Sequence, residues 1–519
     1  MSQENDILLS RRRFLLGAGG LTGLLAAGSI AGRAQIIKPR FASNPFTLGI
    51  ASGEPTPDGV VLWTRLALNP LNGGGMPNAA IPVTWRVALD ENMRHVVRSG
   101  MTLASPALGH SVHVELSGLE PSRWYWYQFS AGDVQSPIGR TKTAPALGAS
   151  VGQFTFAFAS CQNYQDGYFT AYQHMARESL DLVVHLGDYI YEGGISATAP
   201  RRHNSPEIVS LTDYRNRYAL YKGDVNLQAA HAAFPWIVTW DDHEVENNYA
   251  GLIRENNNPP GDILLRCAAA YQAFYEHMPL RRSQMPSGPD LLLYRRLTFG
   301  DMAQFHVLDT RQYRTDQPCG DGFSPTCAGR FDPNGTLPGL QQESWLMTGL
   351  DQSTARWNVL AQQVMMTQAD LTPGSTETYN MDAWDGYAAS RDRILGFVGQ
   401  RRPNNPVVLT GDIHCNWVAD LKADFNNPGS ETLGTEFVGT SITSNGDGSD
   451  TIPFGTNALA ANPHIKFFNY NRGYVRCTLT PERWQSDYRV VPFVSTPGAP
   501  IATRASFVVE NGRPGAVPA

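Results

Sequence analysis

Cysteine and charge are both scarce in this sequence. Six cysteines among 519 residues are too few to staple a fold of this length, so stability must come from packed cores. Charged residues make up 17%, below the roughly 25% of an average soluble domain. The formal net charge is −6. With no basic excess, there is no footprint for nucleic acid, which binds through counterion release. Beyond residue 34 no run approaches the ~18 apolar residues of a membrane-spanning helix, so no transmembrane anchor is expected in the processed chain. No C-x-x-C pair occurs, which argues against a structural zinc site, and no internal repeat is visible.

Glycine (49) and proline (35) are abundant, and 42% of residues are hydrophobic. This combination predicts packed cores joined by many turns and long loops, and excludes a helical bundle or a disordered chain. At roughly 100–200 residues per domain, the length predicts two to four domains.

Residues 1–34 read as an export signal. Ser10-Arg11-Arg12-Arg13-Phe14-Leu15 precedes an apolar, glycine-rich stretch over 16–30, and Gly32-Arg33-Ala34 offers a small-residue cleavage point. The paired arginines resemble the twin-arginine signal. That resemblance implies export of the folded protein by the twin-arginine machinery, to a periplasmic or secreted location. The segment holds four arginines and two acids, so its removal takes the net charge from −6 to −8.

Short strands are predicted over 46–51, 60–64, 83–89, 112–116 and 125–129, from β-branched and aromatic content punctuated by Gly, Pro and Asn. Leu119-Glu120-Pro121 with Tyr125 resembles the tyrosine corner of β-sandwiches. An immunoglobulin- or fibronectin-like sandwich is therefore expected over 45–145. From 150 the style changes. Near-continuous apolar runs over 154–160, 181–186, 236–240, 304–308 and 406–410 fit strands buried on both faces. Helical patterns over 169–179, 212–221, 263–277 and 341–350 alternate with them, and Thr212 is the expected N-cap of the second. The reading is an α/β or layered domain over 150–510, with long surface loops at 316–340 and 440–463.

Four of these runs end in a burst of polar residues. The first delivers Cys161-Gln162-Asn163. The second delivers Asp188, Tyr191 and Glu192. The third delivers Asp241-Asp242-His243-Glu244, then Asn247 and Asn248. The fourth delivers Asp412-Ile413-His414. Carboxyl ends of strands line the ligand crevice in α/β architectures, so one shared site is expected. Its carboxylates suit a hard cation, and its phenolate and thiolate suit a trivalent or soft one. A mixed multi-metal site points to phosphoester hydrolysis, with a metal-activated hydroxide attacking phosphorus. Arg311 in Asp309-Thr310-Arg311 could grip a phosphate, Asn248 could orient substrate, and Glu192 and Glu244 could orient ligands.

The order S-C-Q, G-D-Y-I-Y-E, W-D-D-H-E, D-T-R, G-D-I-H resembles the PhoD-type alkaline phosphatase/phosphodiesterase family. That family is related to purple acid phosphatases within the calcineurin-like metallophosphatases. The resemblance implies a sandwich of two central mixed sheets flanked by helices, and a site holding Fe³⁺ with one or two Ca²⁺. Asp188 and Tyr191 match the superfamily's bridging aspartate and iron-binding tyrosine. Cys161 stands at its first aspartate, and Asp242 at the asparagine of G-N-H-E. His243 matches the histidine that contacts phosphate, and Asp412 and His414 occupy the two histidine positions of G-H-x-H. Iron on Cys161, Asp188 and Tyr191 is implied, with His414 as its candidate fourth ligand, and calcium on Asp188, Asp242 and Asp412; which metal each of Asp412 and His414 faces is left open by the sequence. Asp241 would serve a further calcium or brace the loop.

The implied substrate is a small phosphoester or a phosphodiester polymer. A diesterase acting on phospholipid or teichoic-acid-like polymers is the alternative, and an adhesion protein using the sandwich is the non-catalytic one. Cys319 and Cys327 could form a disulfide in an oxidising compartment. Cys267, Cys415 and Cys477 read as core thiols or bystanders. The run Asn471-Arg472-Gly473-Tyr474 has no role derivable from sequence.

Overall fold

The computed structural model describes residues 39–255 and 263–519. The export-signal reading of 1–34 lies outside the described residues.

The apolar runs pair with one another. Phe154–Ala159, Leu182–His185 and Pro235–Val238 are parallel neighbours inside a ten-stranded sheet. Beyond Phe154–Ala159 the sheet continues antiparallel through Arg472–Leu479, Arg483–Val491, Ala502–Glu510 and Arg513–Pro518. Beyond Pro235–Val238 it continues through Ile50–Thr56, Gly59–Arg65 and Ser111–Glu115. A seven-stranded sheet has Ala303–Val307, Trp357–Ala361, Pro406–Thr410 and Thr432–Val438 as its parallel centre.

Side-chain alternation shows how the two sheets meet. Phe154, Phe156 and Phe158 share a core with Phe305, Val359, Val407 and Leu409 of the seven-stranded sheet. Ala157, Ala159 and Val183, one residue out of phase, pack in a second core with Tyr214, Tyr218, Leu227 and Tyr271. Those residues belong to the helices Leu211–Lys222, Val225–Ala233 and Ile263–His277. Leu360 and Val408 likewise turn away from the shared core, toward Leu346 of helix Leu340–Gln352 and Ile394 of helix Ala388–Arg401. A strand packed on both faces has no polar side to display, which is why these runs show no alternation in sequence.

Residues 45–145 build two facing β layers around Val60, Leu62, Val83, Val87, Tyr127 and Phe129. One layer is a five-stranded sheet of Val96–Ala104, Ile81–Ala88, Trp124–Ala131, Val134–Gln135 and Gly139–Lys142. The other is the end of the ten-stranded sheet, because Ser52 and Gly53 pair in parallel with Pro235 and Trp236. Glycine is required at 53, where a Cβ would lie 2.6 Å from the Trp236 carbonyl oxygen. Residues 39–519 accordingly form one compact unit. The Tyr125 hydroxyl accepts from the Glu120 amide at 2.9 Å, the tie expected of a tyrosine corner.

Two local readings change. Ser210, not Thr212, caps Leu211–Lys222. Its side chain accepts from the Asp213 amide, and Asp213 accepts in return from the Ser210 amide at 3.0 Å, a capping box. The 440–463 region is not all loop, since Pro453–Ala461 is a helix. Among the described residues no helix is long and apolar enough to cross a membrane.

Candidate metal centre

The four polar bursts converge where the two sheets meet. Cys161, Asp188 and the Asp241–His243 stretch follow neighbouring strands of the ten-stranded sheet, while Asp412 and His414 follow Pro406–Thr410 of the seven-stranded one. Glycines allow the turns to nest. A Cβ on Gly411 would lie 2.5 Å from Ser160 Oγ, and one on Gly187 would lie 2.5 Å from the Asp241 amide nitrogen.

The backbone is strained at the same place. Cys161, Asp188, Asn248, Asp412 and His414 have φ of 58°, 56°, 51°, 60° and 57°. This left-handed region costs a non-glycine residue roughly 1–3 kcal/mol, and such strain gathers at functional sites. Surrounding bonds impose it. The Cys161 amide donates to the Gly187 carbonyl at 3.1 Å, and the Gln162 amide donates to the Asp188 carbonyl at 3.0 Å.

The side chains form a linked series of three groups, in each of which the candidate ligand atoms lie within 4.8 Å of one another. These are Cys161, Asp188 and His414; Asp188, Asp242 and His243; and Asp241, Asp242 and Asp412. Asp188 joins the first two and Asp242 the last two. Tyr191 belongs with the first group: its hydroxyl donates to Asp188 Oδ2 at 2.9 Å and lies 3.2 Å from His414 Nε2. Its ring stacks on His243 with centroids 4.1 Å apart.

The donor set fits cations. Asp188 Oδ1 is buried and has no hydrogen-bond partner among the described residues, a costly state for a carboxylate oxygen that a metal ion would relieve. Burial, with neighbouring carboxylates adding to it, pushes the Asp188 and Asp412 carboxyls well above the usual range and Asp241 up to about 6. Burial also pushes up the Cys161 thiol, helped by Asp188. A bound cation inverts this logic and holds carboxylate and thiolate as anions. Asp242 differs. Burial opposes its charge, but Arg311 and His243 hold it below the usual carboxylate range.

Arg311 sits beneath the carboxylates and is fully buried. Its Nε donates to Asp241, its Nη1 donates to Asp382 at 2.8 Å, and its Nη2 lies 3.6 Å from Asp242 and 3.7 Å from Asp412. The guanidinium placed by sequence within reach of a phosphate here faces four acids instead. Asp382, which also accepts from Arg314 and Gln317 at 2.6 and 2.7 Å, carries no sequence signal: the strand before it, Thr378–Asn380, is three residues long and not an apolar run.

Backbone-directed carboxylates hold the turns. Glu244 accepts from the amides of Asp188, Tyr189 and Asp241 at 3.1, 2.5 and 2.8 Å, and burial raises its carboxyl to about 8. Glu192 accepts from His243 Nδ1 at 2.7 Å and from the Asn247 amide at 2.8 Å. Burial disfavours charge on His243, but Glu192, Asp242 and Asp188 outweigh it and raise the imidazole well above its ordinary value. Burial pushes His414 the other way, down to about 3, with Arg472 adding to it.

The Asn248 amide nitrogen donates to Asp242 at 2.7 Å, while its side chain donates to the Asp321 carbonyl at 2.9 Å. Arg472 now has a place: its Nη1 donates to the His414 carbonyl at 2.7 Å and its Nε to the Gly446 carbonyl at 2.8 Å. Ser444, unmarked in sequence, donates to the Cys161 carbonyl at 2.8 Å and meets the Tyr191 hydroxyl at 2.7 Å. Cys319 and Cys327 are joined by a disulfide. Cys415 packs in an apolar cluster with Trp417 and Met365, and Cys267 and Cys477 are free and buried.

The family model of the PhoD-like phosphatases matches residues 156–488, and that of the PhoD-like phosphatase N-terminal domain matches residues 31–145. The chain belongs to the PhoD-like phosphatase family. Alkaline phosphatase D of Bacillus subtilis (strain 168) is 56% identical to it over 514 residues, which cover 97% of this chain and 88% of that protein. The solved structure of PhoD is similar with a TM-score of 0.91 at 57% identity, over 92% of this chain and 93% of that one. This PhoD-like phosphatase is a phosphoric ester hydrolase.

Proposed function

We propose that this PhoD-like phosphatase is an exported, metal-dependent phosphoesterase whose linked carboxylates hold ferric iron and one or two calcium ions. The observation that carries the reading is the sharing of Asp188 and Asp242 between adjacent ligand groups. Iron is assigned to Cys161, Asp188, Tyr191 and His414, where thiolate, phenolate and imidazole are gathered. Calcium is assigned to Asp188, Asp242 and Asp412, with Asp241 bracing that group or serving a second calcium. When bound, the cations supply Lewis-acid stabilisation of phosphoryl charge and a nucleophile at ordinary pH.

The protein's own groups do the remainder. Glu192 engages His243 Nδ1, so that Nε2 is left to donate to a phosphoryl or leaving oxygen. Stacking on Tyr191 fixes the imidazole plane. Arg311 offsets the charge of the acids from below. The fold is read as the metallophosphatase sandwich, with 150–510 as its catalytic part, 45–145 as an N-terminal β part and 1–34 as a twin-arginine signal.

Metal analysis of the folded, exported protein tests the site. Bound iron with a tyrosinate absorption band in the visible is expected, and Cys161→Ala should lose iron and activity together. An iron-free protein, or full activity in that variant, would sink the assignment. Comparative rates on a monoester, a nucleotide diester and phosphatidylcholine decide between phosphatase and diesterase.

A further inference from the structure

Away from the metal centre, a cavity of about 170 Å³ is lined by Arg65, Gly73, Gly74, Gly109, His110 and Arg215 among others. Arg65 ends the strand Gly59–Arg65 and is only 2% exposed. Its Nε donates to the Gly109 carbonyl at 2.8 Å, and its Nη1 lies 2.8 Å from His277 Nε2. His277 Nδ1 is 2.6 Å from the Ala273 carbonyl. A carbonyl only accepts, so Nδ1 carries the proton and Nε2 accepts from Arg65. Nη2 makes no hydrogen bond among the described residues, and it is turned toward Gly74, where a Cβ would lie 3.4 Å from it. Gly73 and Gly74 have φ of 70° and 82°, a backbone conformation that favours glycine, so this wall is bare backbone.

The charge count leaves one positive unit. Arg215, which also lines the cavity, pairs with the buried Glu276, its Nε donating at 2.6 Å and its Nη2 at 2.5 Å. Glu276 is the carboxylate facing both guanidiniums, so two cations share one acid. Burial pushes the Arg65 guanidinium down to about 10, opposed by Glu276 and reinforced by Arg215. The space exceeds the ~30 Å³ of one water molecule several-fold.

We propose that this cavity is an oxyanion site separate from the metal centre, in which Arg65 Nη2 and Arg215 bind a small anion of one net negative charge, a phosphate or a carboxylate. A guanidinium edge with unused N–H groups matches the oxygens of both. Nη2 faces the cavity with no protein acceptor among the described residues, and the anion supplies acceptor and charge together.

Isothermal titration of the full-length holoenzyme with inorganic phosphate, and separately with acetate, tests the proposal at ionic strength held constant with chloride. Asn78→Trp fills the mouth of the cavity from an exposed position, and Arg65→Lys keeps the charge but removes the fork. Both variants should bind the anion about tenfold more weakly, while Asn78→Trp keeps wild-type phosphatase activity, which separates blocked binding from misfolding. Phosphate also binds at the metal centre, so the reading is the component lost in Asn78→Trp. A lost component with phosphate alone, or with acetate alone, assigns the site to that anion. No lost component with either would overturn the proposal and leave the cavity to water.

Discussion

Glu244 gathers three backbone amides, from the turn after Leu182–His185 and the turn after Pro235–Val238, onto one carboxylate. It touches no candidate ligand atom, yet it sets where the Asp188 and Asp241 backbones stand. Glu244→Gln replaces one acceptor oxygen by a donor that faces amide N–H groups. Metal affinity is expected to fall about 10–100-fold, as for other groups that orient ligands, while the fold persists; calcium titration followed by circular dichroism checks both. Glu192 acts on His243 in the same indirect manner. A raised imidazole pKa means that its stabilising charge is complete below the ordinary value of ~6.5 and is lost as pH climbs through the folded value. Glu192→Gln removes the leading attractive partner. The alkaline limb of the kcat profile should move to lower pH, and an unmoved limb would show that His243 is not the group titrating. The residues at strand ends could be read from sequence, because an apolar run followed by Asp, His or Tyr states both position and chemistry. Asp382 and Ser444 could not, since they reach the site from loops whose course is decided by tertiary packing. Arg311 was legible in place but not in partner: nothing in Asp309-Thr310-Arg311 tells a buried counter-ion from a phosphate clamp.

At the scale of elements, the disulfide ring closed by Cys319 and Cys327 reaches the metal centre from two sides. Its Asp321 carbonyl accepts from the Asn248 side chain at 2.9 Å. Its Phe323–Pro325 strand pairs with Thr378–Asn380, and the Gly322 carbonyl accepts from the Met381 amide at 3.0 Å, next to Asp382. Opening the ring with Cys319→Ser and Cys327→Ser is expected to cost about 2–3 kcal/mol by loss of the short crosslink, read as a lower Tm. It should also lower kcat more than it raises KM, because Asn248 and Asp382 lose their tether. Wild-type kinetics in that variant would confine the bond to a stabilising role. Legibility differs among elements for physical reasons. Strands packed on both faces announced themselves as apolar runs. Val96–Ala104, with five exposed positions at an edge of its sheet, carries no buried stripe to read. Pro453–Ala461 was hidden in Gly- and Pro-rich surroundings, although its proline occupies the first turn, where proline is favoured.

For the whole molecule, the candidate metal centre gathers mutually repelling acids where two sheets and several loops meet, so a bound cation would relieve that repulsion. Chelation with EDTA should therefore lower Tm and abolish hydrolysis together, and added calcium should restore Tm, because an ion that binds only the folded state stabilises it by mass action. A Tm indifferent to chelation would separate the site from the stability of the fold. The net charge of −6 gives no long-range attraction for anionic esters, so capture has to be local.

The ten-stranded sheet has one more consequence, for the order in which the chain can fold. Ser52 pairs with Pro235, and Phe156 pairs with Cys477. Both contacts join distant parts of the chain, whose closure is entropically costly and slow. The central strand Phe154–Ala159 keeps an open edge until Arg472–Leu479 has been synthesised. A chain ending before residue 472 would own every candidate metal ligand and still present an unpaired apolar strand, the template for aggregation. Completion of the sheet thus waits on the C-terminal strands, which act as its closing step.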